Sequence, residues 1–336
     1  MSIFLQIPMK SIYEDKELKL LVKKEAKTSD KFGKNPGDRT VKELLDTGII
    51  NINKFSGPTS HQVSAYVKEI LKLKKAGHSG TLDPKVTGVL PVAISRATKV
   101  LQTFLPAGKE YVCIMHIHKE VSNEQLDAVF KKFIGKIKQL PPLKSAVKRQ
   151  WRFREIYYLK LLEQDKQDVL FRVGCEAGTY IRKLVHDIGQ DLGCGAHMAQ
   201  LIRTKAGPFT DKDMYSLQDL ADAFHYYNEG NEKYIMKIVK PIDYSLPHVL
   251  RVYVLDTTVD TICHGATLKI PGLSKIQEGI SKDDTVAIFT LKDELIALGT
   301  ALMCSKDMMR KNRGIAIKTS KVFMPTGTYP KVEKVY

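Results

Sequence analysis

The chain has 336 residues, of which 43% are hydrophobic, enough for a sizeable core, so wholesale disorder is excluded. Its 53 basic and 37 acidic residues give a net charge of +16, which favours a polyanionic partner, usually nucleic acid. No stretch approaches the roughly 18 apolar residues of a membrane span, so we expect no membrane partner.

Residues 1–48 are highly charged, which suits an extension wrapped over a surface better than an independent core. From 49 the pattern changes, and 49–52 predicts a strand. Thr59 and Gln62 then have the spacing of a helix capping box. The helix that follows presents one apolar stripe, formed by Val63, Val67, Ile70 and Leu71.

The middle of the chain mixes strands and helices without a regular βαβ rhythm. Residues 111–118 and 169–176 have the pattern of strands, and an amphipathic helix runs from Ile181 to Leu192. This mixture predicts an α+β fold. Beyond a linker-like stretch at 241–247, the spacing of short β-rich runs predicts a small barrel. These runs are 252–255, 285–291, 295–298 and 314–317.

The five cysteines are scattered and form no Cys-x-x-Cys pair. This argues against a disulfide framework and a cysteine zinc site and favours a reduced, cytoplasmic protein. His116 and His118 share one face of a predicted strand and could ligate a metal. Neither has a third ligand nearby, so solvent-facing histidines are the favoured interpretation.

The loop from Gly77 to Pro84 crowds two glycines, a proline and Asp83 into a short segment. It lacks the spacing of a phosphate-binding P-loop and of a nucleophile elbow. On local sequence alone a tight turn is the favoured interpretation.

The run from Lys148 to Arg154 interleaves four cations with two aromatics, a mixture that grips phosphates and offers stacking faces. It therefore favours RNA contact. The alternative is that Trp151 and Phe153 simply pack a strand.

Several ordered segments together resemble a known family, the pseudouridine synthases that include bacterial tRNA T-arm enzymes and eukaryotic dyskerin. These segments are Gly77 to Gly88, Gly108 to Tyr111, Pro141 to Lys148, Cys175 to Arg182, and Gly195 to Met198 with Leu201. The run from His264 to Gly272 is similar to a PUA domain, an RNA-binding pseudobarrel. The extension, with Asn35, Pro36 and Arg39, resembles the dyskerin-type N-terminus.

The resemblance implies a domain organisation. Residues 1–48 would be an extension packed on the PUA domain, and 49–247 a catalytic domain with a mixed, largely antiparallel central sheet. Residues 248–323 would form the β-barrel-like PUA domain, followed by a C-terminal tail at 324–336.

The resemblance also implies roles for five residues. Asp83 would be the carboxylate that acts at the ribose, and Arg182 its ion-pair partner. In a closed pocket desolvation would raise the pKa of this carboxyl, and Arg182 would oppose that rise. Tyr111 would stack on the uracil and assist proton removal at C5, Leu201 would form the apolar wall under the base, and His78 would support RNA opened by nucleotide flipping.

Isomerising uridine adds and removes no atoms, so we expect no cofactor and no metal. The implied function is guide-RNA-dependent isomerisation of uridine in rRNA, by the catalytic subunit of an archaeal box H/ACA ribonucleoprotein with small protein subunits. The alternatives are a stand-alone tRNA synthase and a non-catalytic RNA scaffold, the latter disfavoured by Asp83, Tyr111 and Arg182 occurring together. Candidate RNA-binding residues are Lys148, Arg149, Arg152, Gly265, Leu268 and Gly272.

Overall fold

The computed structural model describes residues 19–141 and 148–331, which form two β-sheets with helices packed on them. The strands are β1 Leu20–Val22, β2 Gly48–Lys54, β3 Ala76–His78, β4 Thr87–Ile94, β5 Lys109–Ile117, β6 Gly135–Gln139, β7 Arg152–Asp165, β8 Asp168–Cys175, β9 Ala196–Ala206, β10 Phe209–Thr210, β11 Lys240–Pro241, β12 Leu250–Val254, β13 Leu268–Lys269, β14 Leu273–Gln277, β15 Thr285–Phe289, β16 Leu295–Ala301 and β17 Ile315–Val322. The α-helices are α1 Val41–Thr47, α2 Ser60–Ile70, α3 Leu101–Phe104, α4 Asn123–Phe133, α5 Ile181–Asp191, α6 Leu217–Asn228, α7 Lys233–Ile238, α8 Asp256–Cys263 and α9 Ser305–Arg310. In this part of the chain, none of the helices has the length and apolar character needed to cross a membrane.

The larger sheet contains ten strands within the described ranges. Its main path runs β11-β2-β4-β9-β5-β8-β7-β6, with β3 paired to β4 and β10 paired to β9. The pairing of β4 with β9 is parallel, whereas the pairs β2–β4, β5–β9, β5–β8 and β7–β8 are antiparallel. The predicted α+β fold with a mixed, largely antiparallel sheet is confirmed.

Local sequence signals account well for the elements of this sheet. The predicted strands correspond to β2, β5 and β8, and the predicted amphipathic helix is α5. At the start of α2, the Thr59 side chain accepts a hydrogen bond from the Gln62 amide at 3.2 Å, which confirms the capping box. Val63 and Val67 are fully buried, because the apolar stripe of α2 faces the sheet.

The smaller sheet has the order β1-β14-β12-β15-β16-β17-β13 among the described residues. All four β-rich runs predicted for this region fall in or beside β12, β15, β16 and β17. The sequence reasoning missed α8, which buries Val259 and Ile262 against the sheet.

The segment before residue 49 is divided between the two sheets. Leu20–Val22 adds an edge strand to the smaller sheet, where Leu21 lies opposite Ile276. In contrast, α1 packs Val41 and Leu44 into the core shared by β2, β4 and α2. By its packing α1 therefore belongs with the larger sheet.

A buried ion pair joins the N-terminal segment to both sheets. Arg39 donates to Asp243 Oδ1 at 2.9 Å, and the backbone amide of Leu295, at the start of β16, donates to the same oxygen at 2.6 Å. The Asp243 side chain is 0% exposed and that of Arg39 12%. Burial raises the pKa of Asp243, and the Arg39 charge opposes that rise.

We expect Arg39→Met to lower the free energy of unfolding by about 3–5 kcal/mol, because it leaves Asp243 buried without its charge partner. Urea denaturation measures the loss. The deficit should shrink as the pH is lowered, since a protonated Asp243 costs less to bury. Lys19→Met is the control, because it breaks an exposed pair with Glu278 and should cost less than about 1 kcal/mol. Equal stability of the two variants would contradict the role given to Arg39.

Candidate active site

Asp83 lies on the loop between β3 and β4, whose backbone is fixed by the first residue of α2. The Leu82 amide donates to Ser60 Oγ at 2.8 Å, and Ser60 Oγ donates to the Leu82 carbonyl at 3.2 Å. The Val86 amide donates to the Asp83 carbonyl at 3.0 Å, which closes a tight turn. The predicted turn is confirmed, and it leaves the Asp83 side chain exposed to solvent.

A buried lysine holds the other side of this loop. Lys54, at the end of β2, is 0% exposed, and its ammonium donates to the carbonyls of Phe55, Pro84 and Val86 at 2.9–3.0 Å. Burial lowers the pKa of Lys54, whereas the charge of Asp83 raises it. Lys54 thus ties the loop to the sheet through backbone oxygens.

The predicted ion pair of Asp83 is present. Arg182, on α5, donates from Nη2 to Asp83 Oδ2 at 3.0 Å. Both side chains are open to solvent, at 61% for Arg182 and 57% for Asp83, so the expectation of a closed pocket is wrong for the protein without RNA. An exposed pair of this kind contributes less than about 1 kcal/mol to stability. Its main effect is to orient the carboxylate.

The start of α5, and with it Arg182, is held by an amide clamp from β6. Gln139 is 1% exposed. Its Oε1 accepts from the Tyr180 amide at 3.0 Å, and its Nε2 donates to the Tyr180 carbonyl at 3.2 Å. Both backbone groups of the residue that precedes α5 are therefore satisfied by one side chain.

Tyr111 and Leu201 lie beside the loop on neighbouring strands, β5 and β9. Leu201 is 8% exposed and belongs to the core cluster that contains Leu82, and Tyr111 packs against the same cluster. Burial raises the pKa of Tyr111, whereas the charge of Arg203 and a hydrogen bond from it lower that pKa. The charge of Asp83 also acts on Tyr111, so the structure brings the predicted carboxylate, tyrosine and leucine together.

His78 lies on β3, at the entrance to the same loop. Its Nδ1 accepts a hydrogen bond from the Gly80 amide at 3.3 Å, and its ring meets that of His61 edge-on at 4.7 Å. Burial, together with the nearby His61 and Arg203, lowers the pKa of His78 to about 4. His78 is therefore a neutral imidazole near neutral pH.

We expect the His78 ring to stay neutral until the pH falls well below that of an exposed histidine, since its pKa is about 4. Proton NMR of the imidazole should show no titration of His78 between about pH 8 and pH 5.5, the range in which an unperturbed histidine titrates. The depressed pKa also means that the unfolded chain binds the proton more tightly. The free energy of unfolding should therefore be unaffected by His78 above the pKa of the unfolded chain and should decrease as the pH falls from that value towards 4. A His78 midpoint near 6.5 would contradict this description.

The predicted basic and aromatic run is exposed where the structure describes it. Trp151 is 59% and Phe153 66% exposed, so the alternative that they pack a strand is wrong. The Lys138 ammonium lies 5.0 Å from the centre of the Trp151 ring. The motif at 141–148 falls mostly outside the described residues. The predicted RNA-binding cations here are exposed or half-buried: Lys148, Arg149 and Arg152.

Two of the three RNA-binding candidates in the smaller sheet need correction. Leu268 is 0% exposed and lies in the core, so its side chain cannot touch RNA. Gly272 has no positive φ, and a Cβ there would lie 2.6 Å from the Thr258 side chain, so this glycine serves close packing. Of the two candidate glycines, Gly265 is the one with a positive φ, +84°, and the space where its Cβ would lie is open.

His116 and His118 form a surface cluster with His197, as the solvent-facing interpretation predicts. His118 Nε2 lies 3.1 Å from His197 Nδ1, and His116 Nδ1 lies 2.8 Å from Asp168 Oδ1. Within 19–141 and 148–331, no group of three or more His, Cys, Asp or Glu residues is placed to hold a metal ion.

The sequence reasoning missed Gln139, Lys54 and Arg203, all buried beside the site. A signal existed for Arg203, because it follows Leu201 by two residues and so shares its face of β9. Nothing in the local sequence marks Gln139 as a clamp or Lys54 as a buried cation.

Comparison with known proteins assigns this arrangement to a family. Residues 68–181 match the model of the TruB family pseudouridylate synthase N-terminal domain. Residues 182–247 match the tRNA pseudouridylate synthase B C-terminal domain. Residues 250–323 match the PUA domain and 13–64 the DKCLD domain.

Curated relatives and solved structures match nearly the whole chain. The probable tRNA pseudouridine synthase B of Methanopyrus kandleri is 52% identical over 318 residues, 94% of each chain. That of Methanocaldococcus jannaschii is 50% identical over 95% of each. A chain of a Cbf5-Nop10-Gar1 complex is 50% identical with a TM-score of 0.91, covering 95% of this chain and 98% of that one. A chain of an H/ACA RNP bound to a substrate RNA is 47% identical with a TM-score of 0.90, at the same coverage.

The fold, the site and these matches define an RNA pseudouridine synthase with a C-terminal PUA domain. The chain belongs to the TruB family of pseudouridylate synthases. The alternative of a non-catalytic scaffold is therefore set aside.

Proposed function

We propose that this enzyme isomerises uridines in rRNA that are selected by a box H/ACA guide RNA, together with small protein subunits. The observation that carries the proposal is the end-to-end likeness to the chain of the Cbf5-Nop10-Gar1 complex, at a TM-score of 0.91. The DKCLD match at 13–64 and the edge strand β1 on the smaller sheet add support, because both involve the N-terminal segment.

In this proposal Asp83 acts on the ribose of a flipped uridine. Flipping is required because a stacked base hides both reacting atoms. Arg182 orients the carboxylate through the bond at 3.0 Å. Since Asp83 is 57% exposed without RNA, the entering nucleotide itself excludes water from the pair.

The isomerisation balances without a cofactor. The bond between N1 and the ribose C1′ breaks, the uracil turns, and a bond forms between C5 and C1′. C5 then loses its proton and N1 gains one, so no atom is added. In this proposal Tyr111 stacks on the uracil and takes part in the proton transfer, and Leu201 supplies the apolar wall under the base. His78, neutral at pH 7, supports the opened RNA without adding charge.

A stand-alone tRNA synthase is the second candidate, because the curated relatives are named probable tRNA pseudouridine synthase B. The same residues would perform the same chemistry. The two candidates differ in whether the RNA substrate needs a guide.

Asp83→Asn should abolish isomerisation, since an amide is similar in shape but can neither attack nor hold a negative charge. RNA affinity should change little, because an exposed side chain is replaced by one of equal size. Tritium release from C5-labelled uridine measures turnover, with the guide-paired target and a tRNA tested in parallel. Lys85→Gln, an exposed change on the same loop, is the control and should keep activity.

Turnover of the target only when its guide is present supports the proposal. Equal turnover of tRNA without any guide would favour the second candidate. Appreciable turnover by Asp83→Asn would remove Asp83 from the catalytic role under either candidate.

Gly265 offers a test of guide binding with a matched pair of variants. Asn and Asp both tolerate positive φ better than other residues and differ in charge, and a side chain at Gly265 meets nothing within 4 Å. We expect Gly265→Asp to weaken guide RNA binding about tenfold relative to Gly265→Asn, by repulsion of phosphates, with equal melting temperatures. Equal guide affinities of the two folded variants would mean that this surface does not face RNA.

A further inference from the structure

Arg203, on β9, is among the largest fully buried side chains of the protein, at 1% exposure. Its Nε donates to the Val89 carbonyl at 2.7 Å and its Nη2 to the Gly80 carbonyl at 3.4 Å. The ion pairs found in the described part of the chain include none with Arg203. Its charge is therefore balanced by backbone dipoles rather than by a carboxylate.

A buried guanidinium of this kind is costly, because desolvation removes its hydration and no opposite charge repays it. A neutral side chain could fill the same space at a lower cost. A buried cation at position 203 therefore indicates a function for its charge. The groups around Arg203 indicate which function that is.

Tyr111 is the cross-strand partner of Arg203 in the pairing of β5 with β9. The guanidinium charge acts on four neighbouring groups. Three of them, His78, Lys54 and Lys109, are bases whose protonated forms it disfavours. Tyr111 is the acid among them: burial raises its pKa above the ordinary value, and Arg203 opposes that rise through both its charge and a hydrogen bond.

The same guanidinium reaches the loop that carries Asp83. Gly80 accepts its Nη2 hydrogen bond and lies three residues before Asp83, while Val89 lies on β4, beyond the loop. One buried group therefore connects Tyr111, the catalytic loop and the strand that follows the loop.

We propose that Arg203 is a positioning residue that holds the Tyr111 hydroxyl at the uracil and stabilises its phenolate as this accepts the C5 proton. The inference rests on the proposed role of Tyr111. The phenol first loses its proton to solvent. The C5–H bond then breaks, its proton goes to the phenolate oxygen, and its electron pair restores the ring double bond. N1 takes a proton from solvent, so protons balance.

The test compares single-turnover rates of Arg203→Met, Arg203→Lys, Tyr111→Phe and the double variant Arg203→Met with Tyr111→Phe. Lys205→Met, a half-buried cation on the same strand, is the matched control and should stay within about threefold of wild type. Arg203→Met should slow isomerisation about 100-fold, at the low end of acid–base effects. The double variant should be no slower than its slower parent, because both changes remove one function.

Arg203→Lys decides between charge and packing, since it keeps the cation and loses the forked geometry. It should recover about tenfold of the rate lost in Arg203→Met. With 5-deuterouridine in the target, Arg203→Met should show a larger isotope effect than wild type, because proton removal at C5 becomes rate-limiting. Melting temperature and RNA affinity are measured for each variant to show that Arg203→Lys is folded and bound.

The proposal would be overturned if the rate losses of the two single variants multiplied in the double variant. An isotope effect unchanged in Arg203→Met, or an Arg203→Lys rate equal to that of Arg203→Met, would also overturn it. These comparisons use whichever RNA the wild type isomerises, guide-paired target or tRNA. Turnover that does not depend on a guide would therefore overturn the proposed function. The inference about Arg203 would still be decided by the rates and isotope effects of its own variants.

Discussion

The site depends on buried cations whose charges are met by backbone carbonyls. Lys54 and Arg203 each bind carbonyls of the segment around Asp83. Lys109 is a third buried cation of this kind, and at the end of α3 it donates to three carbonyls between Phe104 and Ala107. Burial lowers the pKa of Lys109 to about 8. Since a buried charge must be hydrogen bonded, each cation fixes the backbone that it binds, and the loop acquires one geometry.

In this arrangement the backbone of the loop is fixed while two of its neighbouring charged groups stay accessible. Lys54 and Arg203 hold the loop backbone, whereas the Asp83 carboxylate and the Arg182 guanidinium are open to solvent. In the proposed mechanism an RNA nucleotide therefore enters at a pair that the described residues leave open. In that mechanism water is excluded only when the nucleotide is in place, and its exclusion would strengthen the ion pair as charge develops on the ribose.

The sequence predicts the fold class and many of its strands and helices well, because their signals are local, and the motifs of the resemblance supply the residues proposed to react. A capping box at Thr59, alternating strands and an ordered set of motifs each need only neighbouring residues. The groups that support the site are set by tertiary contacts, so Gln139 and Lys54 carry no comparable signal. The same limit explains why Leu268 was wrongly assigned to RNA binding: a motif match says which residue is present but not which way it faces.

We infer that the loop that carries Asp83 has its final geometry before RNA binds. Amide hydrogen exchange of Leu82 and Val86 tests it directly, because both amides are bonded in the free protein, at 2.8 and 3.0 Å. We expect slow exchange of both amides without RNA and little further protection when RNA binds. Rapid exchange in the free protein, with protection only in the RNA complex, would show that RNA orders the loop and would contradict the claim.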